Sequence, residues 1–246
     1  MEYASPMPLQ LSVVVPFHDE SPSLAELYAE LSAVLASFPF PSELIFVDDA
    51  SDDDGAVVVA GLAGSDPRVR LLWITPRSGQ STALEAGFRA ARGEWIATLD
   101  ADLQNDPADL PRLVAAMGAA DCVCGVRVER RDRLSLRVAS RLANGIRRRV
   151  LGDGIEDIGC SLRIMRREHA RRIKLFRGAH RFLPVLLALE GARVVERPVR
   201  HRPRRHGRSR YGIWMRLRVV WADLLGVAWL ARRVARYEVK ELSRRV

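Results

Sequence analysis

Two carboxylate clusters carry the chemistry this sequence could do. Leu99-Asp100-Ala101-Asp102-Leu103-Gln104 sets two acids two residues apart, with a neutral amide two residues further on. Residues i and i+2 leave an extended chain on the same face, so Asp100 and Asp102 are expected to converge on one cation. Gln104 would add a third oxygen. Such donors suit a hard divalent ion, Mg2+ or Mn2+, which keeps several waters and often shares its shell with substrate phosphates. The second cluster starts at Asp48-Asp49. A carboxylate there can accept from a base N–H or a ribose hydroxyl. Ser51 and Asp52 read as caps of the helix that follows.

Solvated acidic loops are common, so the position of each cluster decides its meaning. Apolar, β-branched runs predict strands at residues 10–15 (ended by Pro16), 43–47, 69–74, 94–99 and 121–126. Helical spacing fills the intervals at 22–36, up to about residue 63, 81–91 and 107–117. Ser21 reads as an N-cap with Pro22 at the first helical position, and Gly93 as a helix stop. Strand–helix alternation repeated in this way predicts a mostly parallel α/β sheet with helices on both faces. Ligands of such sheets bind outside the carboxyl ends of the strands. Asp48-Asp49 follows the second strand and Asp100 the fourth, so both clusters fall there. Beyond residue 126 the expected elements are a basic helix at 134–150, a strand at 161–165, helices at 168–173 and 180–189, and a strand at 192–199.

The charge is divided along the chain. Residues 1–125 hold 6 Arg and no Lys against 19 acids, a net of −13, whereas residues 126–246 carry +22. The first half suits a cation and the second an anion. Nearly all the basic residues are Arg, whose planar fork matches phosphate. Neither G-x-G-x-x-G nor G-x-x-x-x-G-K-[ST] occurs, which argues against Rossmann oxidoreductases and P-loop NTPases. No Ser–His–Asp arrangement suggests itself. Cys122, Cys124 and Cys160 cannot pair evenly and read as reduced core residues in a cytosolic setting. His180 and His201 read as structural or solvent-exposed. No signal peptide and no uncharged apolar run long enough to span a bilayer is apparent. The basic half admits a nucleic-acid binder, but only 7% of residues are aromatic, no recognition motif occurs, and that reading gives the acids no role.

Four segments, Val13–Glu20 (VVVPFHDE), Glu43–Asp53 (ELIFVDDASDD), Arg77–Gln80 with Gly87, and Thr98–Pro107 (TLDADLQNDP), resemble the family 2 glycosyltransferases of GT-A fold in order and spacing. Gly125-Val126-Arg127, Arg130–Asp132, Asp157–Cys160 and the basic run His201–Tyr211 resemble the polyprenyl-phosphate branch, which includes dolichol-phosphate mannose synthase. The likeness covers roughly residues 10–212. Asp19 and Ser78 stand where Asn is usual, Ala50 where Gly is usual and Arg210 where Lys is common. The Q-x-x-R-W signature of processive synthases is absent.

The resemblance implies a GT-A catalytic domain at 1–210 followed by a helical tail at 211–246. Pro16, Glu20, Asp49 and Asp100 would line the donor nucleotide. Asp100, Asp102 and Gln104 would hold Mg2+ or Mn2+ and the diphosphate. Arg127, Arg137 and Arg204, with Ser209 and Arg210, are the candidates for clamping the acceptor phosphate or the diphosphate, with Arg127 and Arg204 counted as catalytic beside Asp100 and Asp102. The implied reaction is inverting sugar transfer from a GDP- or UDP-sugar to a polyprenyl phosphate. The alternative acceptor, a saccharide hydroxyl, would need a general base, for which the sequence offers no clear candidate. In the tail, Ile213, Leu217, Val220, Trp221, Leu224 and Ala228 recur at helical spacing ahead of Arg232, Arg233 and Arg236. This pattern suits an amphipathic helix at the cytoplasmic face of a membrane. Oligomeric state, sugar and lipid length are not encoded in any motif.

Overall fold

The computed structural model describes residues 8–128, 144–203, 205 and 213–234, with side chains in the last helix from residue 221 onward. Its elements are β1 (Leu11–Phe17), α1 (Ser21–Ala36), β2 (Ser42–Asp48), α2 (Gly55–Ser65), β3 (Val69–Trp73), α3 (Gln80–Ala90), β4 (Trp95–Thr98), α4 (Leu110–Ala116) and β5 (Cys122–Arg127). A helical stretch at 144–151, here α5, follows. Then come β6 (Arg163–Arg166), α6 (Arg167–Arg172), α7 (Leu183–Leu189), β7 (Val194–Val199) and α8 (Ile213–Ala231).

One seven-stranded sheet has the order β3-β2-β1-β4-β6-β5-β7. Only β6 runs against its neighbours. Both faces are covered, which is why the strands read as unbroken apolar runs. Along β1 the side chains alternate between two cores. Leu11, Val13, Val15 and Phe17 face the layer of α1, α2 and α4, and Val14 faces α3 and Phe88. The second core also takes in α7 and, from α8, Leu224 and Val227.

The expectation of a mostly parallel sheet between helices holds, while several local readings change. β1 runs through Pro16 to Phe17. Pairing with β4 ends at Val14↔Thr98, so the missing N–H of Pro16 falls where β1 has only β2 beside it. The N-cap of α1 is Glu20, not Ser21, and no side chain caps it. Ser51 and Asp52 do not cap α2, whose N-cap is Asp54. Gly93 is not a helix stop, since α3 ends at Ala90 with Ala91 extended. A Cβ on Gly93 would sit 2.7 Å from the Leu11 carbonyl carbon and the Ser12 nitrogen. Glycine is required here because two backbones touch at the start of β4. Gly93→Ala is expected to destabilise the fold by about 1–3 kcal/mol, because backbone must shift to admit the methyl. Denaturant titration should show a lower midpoint at unchanged slope.

Candidate active site

The strand order reverses between β1 and β4, which makes a crevice at their carboxyl ends. Four loops meet there, and hydrogen bonds tie them into a ring. The loop after β1 is stitched to the loop after β2: the Asp19 N–H donates to Ser51 Oγ (3.1 Å), the Asp52 N–H to Asp19 Oδ1 (2.8 Å) and the Ser21 N–H to Asp53 Oδ2 (2.8 Å). The loop after β2 is stitched to the turn before α3, because both oxygens of Asp49 accept backbone N–H groups, from Ser78 (2.7 Å) and Gly79 (2.8 Å). From that turn, Gln80 Nε2 donates to Asp100 Oδ1 (2.7 Å). Ser23 closes the ring by donating from Oγ to the Ala101 carbonyl (2.6 Å).

The Asp-x-Asp pair is not on extended backbone. β4 ends at Thr98, and residues 101–103 form a turn with Leu103 at φ 62°. Alternation along a strand therefore does not bring Asp100 and Asp102 together. Asp100 bonds to Gln80 just before the turn, and Asp102 lies within it. Asp102 is 5% exposed and accepts the Gln104 N–H at Oδ1 (3.1 Å). Asp106 accepts the Ala108 N–H and caps the short helix ahead of α4. A buried carboxylate is costly unless it is hydrogen-bonded or meets a cation. Carboxylate oxygens at this edge are the kind of donor a hard divalent ion prefers. Gln104 turns its side-chain amide nitrogen to within 3.5 Å of His201 Nε2, and its main-chain carbonyl accepts the Arg202 N–H (2.9 Å). His201, which the sequence gave no functional role, thus belongs to this turn; its bridge to Asn105 fixes it there.

Pro16 and Glu20 lie at the β1 side of the crevice, and the Glu20 carbonyl accepts the Ser23 N–H (3.0 Å). Two of the positions where the sequence departs from the family pattern are strained. Asp19 and Ala50 both have φ 53°, a left-handed conformation that suits Asn or Gly. Asp19 offsets its strain with the bond to Asp52, while Ala50 bears a methyl where none is favoured.

Arg127, at the end of β5, makes a two-pronged pair with Asp157: Nε–Oδ2 and Nη2–Oδ1 are both 2.7 Å. The pair is 15% and 7% exposed at the two side chains. Arg137, Arg204, Ser209 and Arg210 lie outside the described residues. Around them the basic segment is anchored to the acidic half. Arg200 pairs with Asp106 and Asp109, Arg202 with Glu30 and Asp106, and Arg205 with Glu26.

A cavity of about 260 Å3 opens beside Asp100 and is lined on its other side by Gly159, Ser161, Arg163, His180 and Arg181. Arg163 went unremarked in the sequence. The signal was there, a charge between Leu162 and Ile164 in a strand that is central to the sheet. Burial, with Arg181 and Arg163 adding to it, pushes the His180 imidazole down to about 3.

Two outcomes follow from these environments. Removing one partner of the Arg127–Asp157 pair strands a buried charge, so Asp157→Ala should cost about 3–5 kcal/mol. The double variant Arg127→Met/Asp157→Leu should cost less than the single one in a thermodynamic cycle from denaturant titrations. His180 should show no titration of its ring proton resonances between pH 5 and 8. Its folded value lies below the unfolded one near 6.5, so the unfolded chain binds the proton more tightly. Its effect on stability is absent above that pH and grows unfavourable as the pH falls from 6.5 toward 3.

The Glycosyl transferase family 2 model matches residues 12–174. A dodecaprenyl-phosphate galacturonate synthase from Rhizobium johnstonii is 39% identical over 234 residues, covering 93% of this chain and 69% of its own. An undecaprenyl-phosphate 4-deoxy-4-formamido-L-arabinose transferase from Edwardsiella ictaluri is 38% identical over 219 residues, 87% of this chain and 66% of its own. The chain therefore spans about two thirds of the length of these relatives. Among solved structures, glucosyl-3-phosphoglycerate synthase from Mycobacterium tuberculosis, in complex with Mn2+, UDP-glucose and phosphoglyceric acid, superposes with a TM-score of 0.70 at 19% identity. That match covers 90% of this chain and 80% of the other. A mannosyltransferase from Pyrobaculum calidifontis, in complex with GDP-mannose and Mn2+, gives 0.63 at 20% identity over 96% of this chain and 68% of its own. The matched stretch contains β1 through β6 and both carboxylate clusters. The chain belongs to glycosyl transferase family 2, and it is a glycosyltransferase of GT-A fold.

Proposed function

We propose that this enzyme transfers a sugar from a nucleotide-diphosphate sugar to a polyprenyl phosphate, with inversion at the anomeric carbon. The observation that carries the reading is the turn of Asp100 and Asp102, fixed by Ser23 and Gln80 at the switch point of the sheet. Both relatives named above use a polyprenyl phosphate, but their sugars differ, so the donor sugar does not carry over. Asp49, held by the 78–79 amides, faces the crevice from the β2 side as part of the nucleoside site, with Pro16 and Glu20. Asp100 and Asp102 would hold Mg2+ or Mn2+. When bound, such an ion supplies Lewis-acid stabilisation of the charge that grows on the departing nucleoside diphosphate.

The acceptor explains why no base is needed. A phosphate monoester has its second pKa near about 6 and is already ionised at neutral pH. The barrier that remains is repulsion between two anions. Each pair of unit charges about 4 Å apart opposes their approach by roughly 4 kcal/mol at an effective dielectric of 20. Arg127, held in orientation by Asp157, and Arg204, which lies outside the described residues, are the sequence's candidates for offsetting that repulsion. A saccharide-hydroxyl acceptor would instead require one of the crevice carboxylates to take its proton.

Among the described residues no helix is long and apolar enough to cross a membrane. The sequence put Trp221 on one apolar face of α8 with Leu224 and Ala228. The helix is in fact apolar on two faces. Leu224, Val227 and Ala228 are buried, whereas Trp221, Leu225 and Trp229 are 44%, 61% and 60% exposed. Arg233 stacks over Trp229, with its guanidinium carbon 5.2 Å from the ring centroid. An exposed Trp–Leu–Trp stripe edged by arginine fits the interface of an anionic bilayer, and it would bring the enzyme to its lipid acceptor as a peripheral protein.

Asp102→Asn is expected to reduce transfer by at least about a hundredfold while the melting temperature changes little. The assay is a panel of radiolabelled GDP- and UDP-sugars with undecaprenyl phosphate, scored by lipid extraction. Chelation should abolish transfer and Mn2+ or Mg2+ should restore it. Full turnover of Asp102→Asn would end the proposal. Vesicles containing phosphatidylglycerol should bind the wild type and shift its tryptophan emission to the blue. Trp221→Ser/Trp229→Ser should bind them at least about fivefold more weakly.

A further inference from the structure

The cavity beside Asp100 contains more positive charge than the proposed reaction uses. Arg163 sits in β6, between β4 and β5, and is 3% exposed. Its guanidinium donates only to main-chain carbonyls, from Nη1 to His180 (3.0 Å) and from Nη2 to Ile158 (2.7 Å). Its Nε is buried without an acceptor, as is Nη1 of Arg181 across the same cavity. Neither arginine has an ion-pair partner among the described residues. Asp223 of α8 interacts electrostatically with Arg181 without forming an ion pair, and burial raises its pKa while Arg181 lowers it. Most other arginines around the site are neutralised, Arg127 by Asp157 and Arg202 by Glu30 and Asp106.

His180 adds a directed donor. Ser81 Oγ accepts the N–H groups of Gly178 and His180 (both 3.2 Å), so its own hydrogen goes to His180 Nδ1 (2.9 Å). That fixes the tautomer with the proton on Nε2. Two cations and an N–H donor thus share one cavity with the first carboxylate of the Asp-x-Asp turn. Burying an arginine without an acid costs several kcal/mol unless an anion completes the site. The cavity, at about 260 Å3, falls below the roughly 300–1,000 Å3 of pockets for drug-sized ligands, a size for one sugar ring rather than a prenyl chain.

We propose that the cavity of Gln80, Asp100, Arg163, His180 and Arg181 holds the sugar of the donor, and that Arg163 and Arg181 select a sugar bearing a carboxylate, a uronic acid. The inference rests on the donor-site reading given above. The ligand chemistry is an anionic oxygen group, whose other source would be the acceptor phosphate, and the experiment separates the two.

Isothermal titration of the full chain with Mg2+ present would compare UDP, UDP-galactose and UDP-galacturonate. The GDP, GDP-mannose and GDP-mannuronate series replaces it if GDP binds instead. The uronate should bind at least about tenfold more tightly than the neutral sugar, the size of one charge-assisted hydrogen bond. Arg181→Gln should bring that ratio within about threefold, with the plain nucleotide, which has no sugar, bound as in the wild type. Arg163→Gln should do the same where thermal unfolding shows it folded; Arg181→Gln decides the matter if it is not. Equal binding of both sugars by the wild type, or an unchanged ratio in Arg181→Gln, would overturn the assignment. If Arg181→Gln instead weakens farnesyl phosphate and leaves the sugar ratio intact, the anion is the acceptor's and the sugar assignment falls. Binding of neither UDP nor GDP would overturn the donor-site reading itself and remove the basis of this one; the plain nucleotides report that failure separately.

Discussion

The active edge of this enzyme depends on carboxylates that are buried and hydrogen-bonded to backbone N–H groups. Asp48, Asp49, Asp102, Asp106 and Asp109 are 1–5% exposed, and each accepts at least one main-chain N–H at the carboxyl ends of the strands or in the turn after β4. Such bonds lower the cost of desolvating the charge without neutralising it. The acids are therefore placed before any ligand arrives, and the edge stays negative. A site of that kind attracts a cation and repels diphosphate until the cation is present.

The same constraint gives the charge division of the sequence a structural reason. The −13 of the first half would repel itself if nothing crossed it. What crosses it is the segment after β7. Arg200, Arg202 and Arg205 reach Asp106, Asp109, Glu26 and Glu30, and the Arg202 N–H bonds to the Gln104 carbonyl. The basic segment is fastened to the Asp-x-Asp turn by the acids that flank it. The basic segment is thereby held against the crevice as part of folding, not left as a separate surface patch.

Much of this was legible in the residues. Strands buried on both faces announce themselves as apolar runs, and acids directly after them fall at the ligand edge whatever the loop conformation. Conformation itself was less legible. Asp100 and Asp102 were singled out by type and position, but the expected strand alternation is replaced by a turn in which Leu103 adopts a positive φ and Ser23 reaches the Ala101 carbonyl. The Ser23 contact joins residues 78 apart in the chain, and no local pattern encodes it. Gly93 looked like a helix stop because glycine serves both there and at backbone contacts, and only the packing of β1 tells them apart. Arg163 was hidden by its neighbours, since a strand rich in apolar residues draws attention away from the one charge within it.

Arginine in this protein does two kinds of work, and ion pairing separates them. Arg127, Arg200 and Arg202 are committed to carboxylates, so their main effect is to hold loops and to set the orientation of a guanidinium. Arg163 and Arg181 have no such commitment among the described residues and face a cavity instead. An ion-paired arginine presents little net charge to a ligand, whereas an unpaired one in low dielectric presents nearly all of it. Discrimination among sugars should therefore reside in Arg163 and Arg181 beside Asp100. The exposed basic surface, screened by salt and water, acts chiefly on how fast an anionic lipid headgroup arrives.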